Sequence, residues 1–227
     1  MSSTHRTYLP AAGLDAFLPL YDPLLRLFGA DRLRRKLFDQ AAVQMHHRIL
    51  DIGCGTGTFA VAIKRWLPTV EVVGLDPDPR ALARSRRKAD RAGVSIRFDL
   101  GFADALPYPD ASFDRVFSCL MFHHLPHDAK PATLREVRRV LKPCGSLHLL
   151  DFERQEARSH NPLGRWMLAK ERVRDNTGER ILRWAREAGL GQPLTRSPDQ
   201  WIFGQLLYIS ARTAIDRELL PANRQEH

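Results

Sequence analysis

The chain has 227 residues, 44% of them hydrophobic, which is enough apolar material for one sizeable core with appendages. Its net charge of +9 and pI near 10.0 invite a nucleic-acid or acidic-membrane reading, but the basic excess is spread thinly, with one concentration over residues 80–91. Cys54, Cys119 and Cys144 lie far apart with no CxxC pair, which argues against a disulfide framework or zinc site and suits a reducing cytosol.

No apolar run reaches the ~18 residues of a membrane span, and prolines and aspartates interrupt residues 9–31, where a signal peptide needs an unbroken apolar core. In residues 1–47, Leu14, Phe17, Leu18, Tyr21, Leu24, Leu25 and Phe28 recur at helical intervals, broken by Pro10, Pro19 and Pro23. Short helical pieces joined by bends are expected. Asp31 is placed to cap a following helix with Leu33, Leu37 and Phe38 on one side and Arg32, Arg34, Arg35 and Lys36 elsewhere.

The chain is organised around Arg48-Ile-Leu-Asp-Ile-Gly-Cys-Gly-Thr-Gly-Thr-Phe-Ala60. Ile49, Leu50 and Ile52 read as a strand buried on both faces, and helical spacing resumes at residues 58–66. Between them lie Gly53, Gly55 and Gly57, a turn on which a ligand can lie against bare backbone. The dinucleotide fingerprint is G-x-G-x-x-G, whereas this turn is G-x-G-x-G preceded by Asp51. An acid there repels a pyrophosphate and suits a cationic ligand, which disfavours NAD. The combination resembles motif I of the class I S-adenosylmethionine (SAM)-dependent methyltransferases, whose cofactor carries a sulfonium and an amino group.

A second strand, Val70-Glu-Val-Val-Gly-Leu-Asp76, ends in an acid about 20 residues beyond the glycines, where a carboxylate can accept both ribose hydroxyls of an adenosine. Pro79 then opens a helix with Arg84, Arg87, Lys88 and Arg91 at i, i+3, i+4, i+7 spacing, a solvated face without the interleaved aromatics of a single-strand binder. Val94–Phe98 reads as the third strand. The resemblance implies that Asp104, beyond it, accepts from the adenine amino group, with Ala105 and Leu106 flanking the ring. It also assigns cofactor contacts to Gly53, Cys54, Gly55, Gly57, Pro77 and Cys119.

Phe113 and Asp114 match the family's turn into strand four, Asp114 as a structural residue at its start. That strand ends at Ser118-Cys-Leu-Met-Phe-His-His-Leu125, and ligands of open α/β sheets bind beyond such carboxyl ends. His123 and His124 are therefore candidate general bases or pocket contacts. Pro131–Leu141 reads as an amphipathic helix with Leu134, Val137, Val140 and Leu141 inward. Lys142-Pro-Cys-Gly145 resembles the family's LKPGG turn into strand five, with Cys144 in place of the first glycine, and Asp151 ends that strand toward the acceptor. Helical stretches follow around residues 166–173 and 181–188, and Trp201–Ser210 reads as the final strand, antiparallel beside strand five.

The implied fold is α/β and Rossmann-like, a seven-stranded, mostly parallel sheet with an antiparallel last strand. The implied domains are a helical lid segment (1–47), a SAM-binding domain (48–212) with a variable acceptor-side insertion (153–190), and a tail (213–227). Tyr8, Tyr21 and Asp22 are candidate lid contacts. The chain is similar to the methyltransferase type 11 group, which includes ubiquinone and menaquinone C-methyltransferases. That implies a cytoplasmic enzyme using SAM, releasing S-adenosylhomocysteine, needing no metal and acting on a small-molecule acceptor. The alternative acceptor is a quinone or phospholipid reached from the membrane surface, with the apolar N-terminal segment and Arg32–Lys36 as the docking element. Nucleic acid is disfavoured, because Ser118-Cys-Leu-Met stands where amino-methylating DNA enzymes carry an Asn/Asp-Pro-Pro-Tyr motif. A non-catalytic SAM-binding module is the opposing class, and the retained glycines and ribose acid count against it.

Overall fold

The computed structural model describes residues 28–153, 176–201 and 204–213. Helix α1 (Ala30–Gln40) leads to β1 (Arg48–Ile52), α2 (Thr58–Trp66), β2 (Glu71–Asp76), α3 (Pro79–Ala92) and β3 (Arg97–Leu100). Strand β4 (Phe113–Cys119) follows, then a single 3-10 turn (Phe122–His124), α4 (Ala129–Val140), β5 (Leu141–Phe152), α5 (Gly178–Glu187), β6 (Leu190–Trp201) and β7 (Gly204–Thr213). The strands form one sheet in the order β3-β2-β1-β4-β5-β7-β6. Strands β1 to β5 are parallel, and β7 runs antiparallel to both of its neighbours. This is the expected seven-stranded, mostly parallel arrangement.

Alternation along the central strands divides the core in two. Ile49 and Phe117 point into a cluster with Leu37, Phe38, Phe59 and Ile63, so α1 and α2 cover that face. Leu50, Ile52 and Val116 point into the opposite cluster, with Leu134, Val137 and Trp184 from α4 and α5. The chain leaves β1 for β2 and β3 on one side and returns to β4 on the other. That reversal opens a crevice at the carboxyl ends of β1 and β4, where a parallel sheet offers a binding site.

Helix α1 begins one residue before the expected cap: Gly29, at φ 80°, takes the N-cap position. Asp31 lies in the first turn and pairs with Arg34 Nη1 at 3.0 Å. The third strand is Arg97–Leu100 rather than 94–98. The expected final strand, Trp201–Ser210, crosses a hairpin: Trp201 closes β6 and Gly204 opens β7. Strand β6 alternates poorly and contains Pro193 and Pro198, and both prolines fall where its register with β7 slips. An edge strand tolerates prolines at such irregularities. The Trp166–Val173 stretch lies outside the described residues.

The expected turn at Lys142–Gly145 lies inside β5, as an irregularity in its register with β4, and Cys144 carries a cost there. Cys144 adopts φ 62°, the left-handed region that a glycine occupies without penalty, while an added Cβ on Gly145 would lie 2.9 Å from the Lys142 carbonyl oxygen. Cys144 is exposed, so relief of this strain is readable in isolation. Cys144→Gly is expected to stabilise the protein by about 1 kcal/mol, a rise of roughly 2–4 °C in melting temperature for a domain of this size. Gly145→Ala lowers the melting temperature. Differential scanning calorimetry of the two variants checks both signs.

Candidate functional site

The three glycines of the turn after β1 serve different ends. A Cβ on Gly53 would fall 2.0 Å from Met121 Cγ, and one on Gly57 would fall 2.6 Å from Ser85 Cβ. Those positions are held open by the protein's own packing. Gly55, at φ 54°, has nothing within 4 Å of its would-be Cβ and is the bare-backbone position that faces open space. The N–H groups of Gly53 and Cys54 both donate to the Leu75 carbonyl, Gly57 N–H donates to the Cys54 carbonyl, and Gly55 N–H donates to Asp76 Oδ2 at 2.8 Å. With these donors engaged inward, the turn is a poor cradle for a phosphate.

Two carboxylates flank the turn. Asp76 uses Oδ2 for Gly55 and Oδ1 for the Asp78 amide at 2.9 Å, which fixes the carboxylate and leaves each oxygen a further lone pair. Burial, opposed by these two amides, pushes its pKa up to about 6. Asp51 is only 2% exposed, and its Oδ2 has no hydrogen-bond partner. Burial, partly offset by the nearby Arg34 guanidinium, raises the Asp51 pKa to about 7. A buried carboxylate oxygen without a donor is costly and calls for a cationic or N–H-bearing ligand. Asp78 caps α3 by accepting from the Arg80 amide at 2.8 Å, and its Oδ2 is likewise buried without a partner.

Arg34 belongs to the basic run of α1 with the exposed Arg32, Arg35 and Lys36, but it is itself 8% exposed. Its positive charge opposes the rise that burial causes in the Asp51 and Cys119 pKa values. Burial raises the Cys119 pKa to about 12, so this sulfur is a neutral neighbour of the site. The Cys54 thiol is also buried, among the core residues beside Gly74, which leaves its backbone as the part lying along the turn. A basic residue on the polar side of a helical pattern carries no mark of burial. Its burial follows from the packing of α1 along the sheet face that Ile49 and Phe117 line.

Beyond β3, α4 grips the loop that carries Asp104 and Ala105. Glu136 Oε2 accepts from the Leu106 amide at 2.7 Å, and Arg139 donates to the carbonyls of Leu106 and Tyr108 and to Asp110. Asp104 is half-buried and Ala105 exposed. Leu106, expected to flank an adenine ring, instead packs into the core cluster under the loop at 4% exposure. The tie between its backbone and Glu136 turns the side chain inward. Pro77 is half-buried between Asp76 and Asp78.

On the far side of the crevice, the two adjacent histidines part. His123 is buried, its Nδ1 2.5 Å from Asp151 Oδ1, and its backbone N–H donates to Asp151 Oδ2 at 3.0 Å. Asp151 is fully buried and also accepts from the Phe152 amide. A carboxylate that only accepts fixes the proton on Nδ1 and leaves the Nε2 lone pair of a neutral ring for other work. The His124 ring lies 4.1 Å from that of His123 and is half-buried. Phe152 meets His123 edge-on and stacks on Trp201, whose Nε1 donates to the Phe28 carbonyl at 2.6 Å. Tyr8, Tyr21 and Asp22 lie outside the described residues. Among the described residues no cluster of His, Cys, Asp or Glu is arranged to hold a metal, and no helix is long and apolar enough to cross a membrane.

Comparison with known proteins gives this geometry a lineage. Residues 49–145 match the family described as a methyltransferase domain. The chain is 44% identical over 137 residues to a demethylmenaquinone methyltransferase of Thermus thermophilus, covering 59% of this chain and 61% of that protein. It is 33% identical over 192 residues to a malonyl-[acyl-carrier protein] O-methyltransferase of Halorhodospira halophila, covering 79% and 60%. The chain thus spans about three fifths of the length of these curated relatives. The [4+2]-cyclase SpnF superimposes with a TM-score of 0.69 at 21% identity over 82% of this chain and 81% of its own, a likeness of fold. Residues 49–145 thus match a methyltransferase domain, and the strand order around them is that of the Rossmann-like class I fold.

Proposed function

We propose that the chain transfers the methyl group of SAM to a small-molecule acceptor. The observation that carries this reading is the buried, unpartnered Oδ2 of Asp51 beside the open backbone of Gly55. A cofactor with an amino group and a sulfonium fits that pair, whereas the inward-turned amides do not suit a pyrophosphate. On this reading Asp76 holds the ribose, the loop of Asp104 and Ala105 holds the adenine, and the turn from Gly53 to Gly57 supports the chain between them. Residues 48–212 form the SAM-binding unit, the segment before it serves as a lid, and residues 153–190 shape the acceptor side. When bound, SAM supplies an electrophilic methyl whose departure neutralises the sulfonium, so the protein's task is alignment and exclusion of water.

The acceptor side supplies a proton acceptor. His123, oriented by Asp151, takes a proton at Nε2 from a hydroxyl or other acidic nucleophile as it attacks, and the buried Asp151 steadies the imidazolium. The likeness to demethylmenaquinone methyltransferases supports a flat, conjugated acceptor, while Phe152 and Trp201 belong to the core packed behind His123. Membrane docking through Arg32–Lys36 has less support: Arg34 is buried, while Arg35 pairs with Asp39 at 2.8 Å and sits over the Trp66 ring.

Calorimetric titration with SAM, S-adenosylhomocysteine and NAD is the direct test, and micromolar binding of the first two without NAD is the expected outcome. The Asp51 pKa of about 7 adds a pH signature. The cation needs the ionised carboxylate, so affinity for SAM falls roughly tenfold between pH 8 and pH 6. The sign for stability is the reverse. The folded-state pKa lies above the unfolded value, so charging Asp51 destabilises the ligand-free protein progressively as pH rises from about 4 to about 7. Asp51→Asn is therefore expected to raise the melting temperature at pH 8, leave it nearly unchanged at pH 4, and remove SAM binding. His123→Ala and Asp151→Asn should lower kcat by about 10²–10⁴-fold on a proton-bearing acceptor while S-adenosylhomocysteine affinity holds. Full turnover in both variants would remove the base.

A further inference from the structure

The loop between β3 and β4 is held at both ends by the rest of the domain. At its start the Gly101 N–H donates to the Asp76 carbonyl at 3.2 Å, which seats the loop beside the residue that ends β2. A bond from the Ala105 N–H to the Phe102 carbonyl closes a tight turn over residues 102–105, with Ala105 exposed at its tip and Asp104 half-buried. Past the turn, Leu106 and Tyr108 pack into the core, and Pro107 and Pro109 stiffen the backbone around them. Ala111 and Ser112 then donate their amides to the carbonyls of Arg139 and Val140 at the end of α4.

Those main-chain bonds already pass the chain into β4, yet two α4 side chains add a second hold nearer the turn. Glu136 Oε2 accepts from the Leu106 amide at 2.7 Å. Arg139 engages all five of its N–H groups. Its Nη2 donates to the Leu106 carbonyl at 3.0 Å, and its Nη1 to the Tyr108 carbonyl at 2.7 Å and to Asp110 Oδ1 at 2.8 Å. The remaining two close on the Glu136 carboxylate at 2.8 and 2.7 Å. One ion pair thus fixes both the N–H and the C=O of the residue that follows the exposed tip. A purine leaving a ribose held by Asp76 meets this turn on the neighbouring strand. We infer that Glu136 and Arg139 are positioning residues that hold the 102–105 turn in place against Asp76 and so set the selectivity of the site for the purine base, an assignment that rests on the SAM reading above. An acceptor such as Asp104 rejects a base that lacks the amino group only if it cannot move; a loose turn withdraws and takes either base. Arginine suits the task because one rigid fork serves two carbonyls and two carboxylates at once.

The test titrates the full chain with three thioethers altered at opposite ends. S-adenosylhomocysteine is the reference, S-inosylhomocysteine replaces the adenine amino group by an oxo group, and 5′-methylthioadenosine keeps the adenine and loses the amino-acid end. Wild type is expected to prefer the reference to S-inosylhomocysteine by about 10–100-fold, the effect of one hydrogen bond to a carboxylate. Arg139→Met should cut that preference to about threefold or less. Its preference for the reference over methylthioadenosine should stay within about twofold of wild type, as for an independent site. Arg139→Lys, which keeps the charge and loses the fork, should lie between. Glu136→Gln, nearly isosteric, should lower the base preference in the same direction and carries the test if Arg139→Met does not fold. Three results overturn the assignment: equal weakening of all three ligands, which makes the pair architectural; collapse of both preferences together, which makes the effect a general loosening; or a wild type that binds the reference without preferring it to S-inosylhomocysteine. Failure of wild type to bind any of the three overturns the SAM reading itself, a different outcome from all of these.

Discussion

A carboxylate is held out of water at the end of the central strand, and much of the domain is arranged to keep it there. Asp51 shares β1 with Leu50 and Ile52, whose side chains fill the core on the α4 and α5 face. Its own side chain points toward the opposite layer, beneath α2 and α1. Burial of an unsatisfied oxygen opposes folding and is tolerated where the surrounding packing over-determines it. That packing is visible. Gly53 gives way to Met121, Gly57 gives way to Ser85, and Asp76 pins the Gly55 amide from the next strand. The strain is concentrated where a ligand of the right charge would relieve it.

Much of the sheet is legible in the residues because its inner strands are short, apolar and followed by unmistakable punctuation. The glycines after β1, the acid that ends β2 and Pro79 at the start of α3 are local signals that local structure obeys. The outer region is less legible. Strand β6 sits at an edge, is interrupted by Pro193 and Pro198, and takes its register from β7 rather than from its own pattern. The second cluster of the site was hidden for a different reason. Sequence places His123 and Asp151 at the ends of neighbouring parallel strands, but only the 3-10 turn after β4 brings the imidazole edge onto the carboxylate. Leu106 shows the converse. Its neighbour Asp104 fits a familiar position, yet the tie from its amide to Glu136 sends its side chain into the core.

Arg34 is the clearest instance of tertiary context overriding pattern. Four basic residues in five positions of a helix carry no mark of which is buried, and Arg32, Arg35 and Lys36 are exposed. The fourth lies one step round the helix, on the side with Leu37 and Phe38, and is buried against the crevice. The net charge of the whole chain therefore says little about its ligand. What matters is which cation the fold withdraws from solvent, and opposite which anion.

The engagement of the turn amides has a metabolic consequence. Since Asp76 and the Leu75 carbonyl already hold the turn in shape, a ligand need not organise it, and little ordering entropy opposes binding. On the proposed reading, the groups that hold the cofactor touch ribose, adenine and amino acid, all of which survive the loss of the methyl. A cradle built this way grips what it releases nearly as firmly as what it consumes. Turnover in a cell is then governed by the ratio of donor to spent donor, and the chain throttles itself wherever that spent molecule is not cleared.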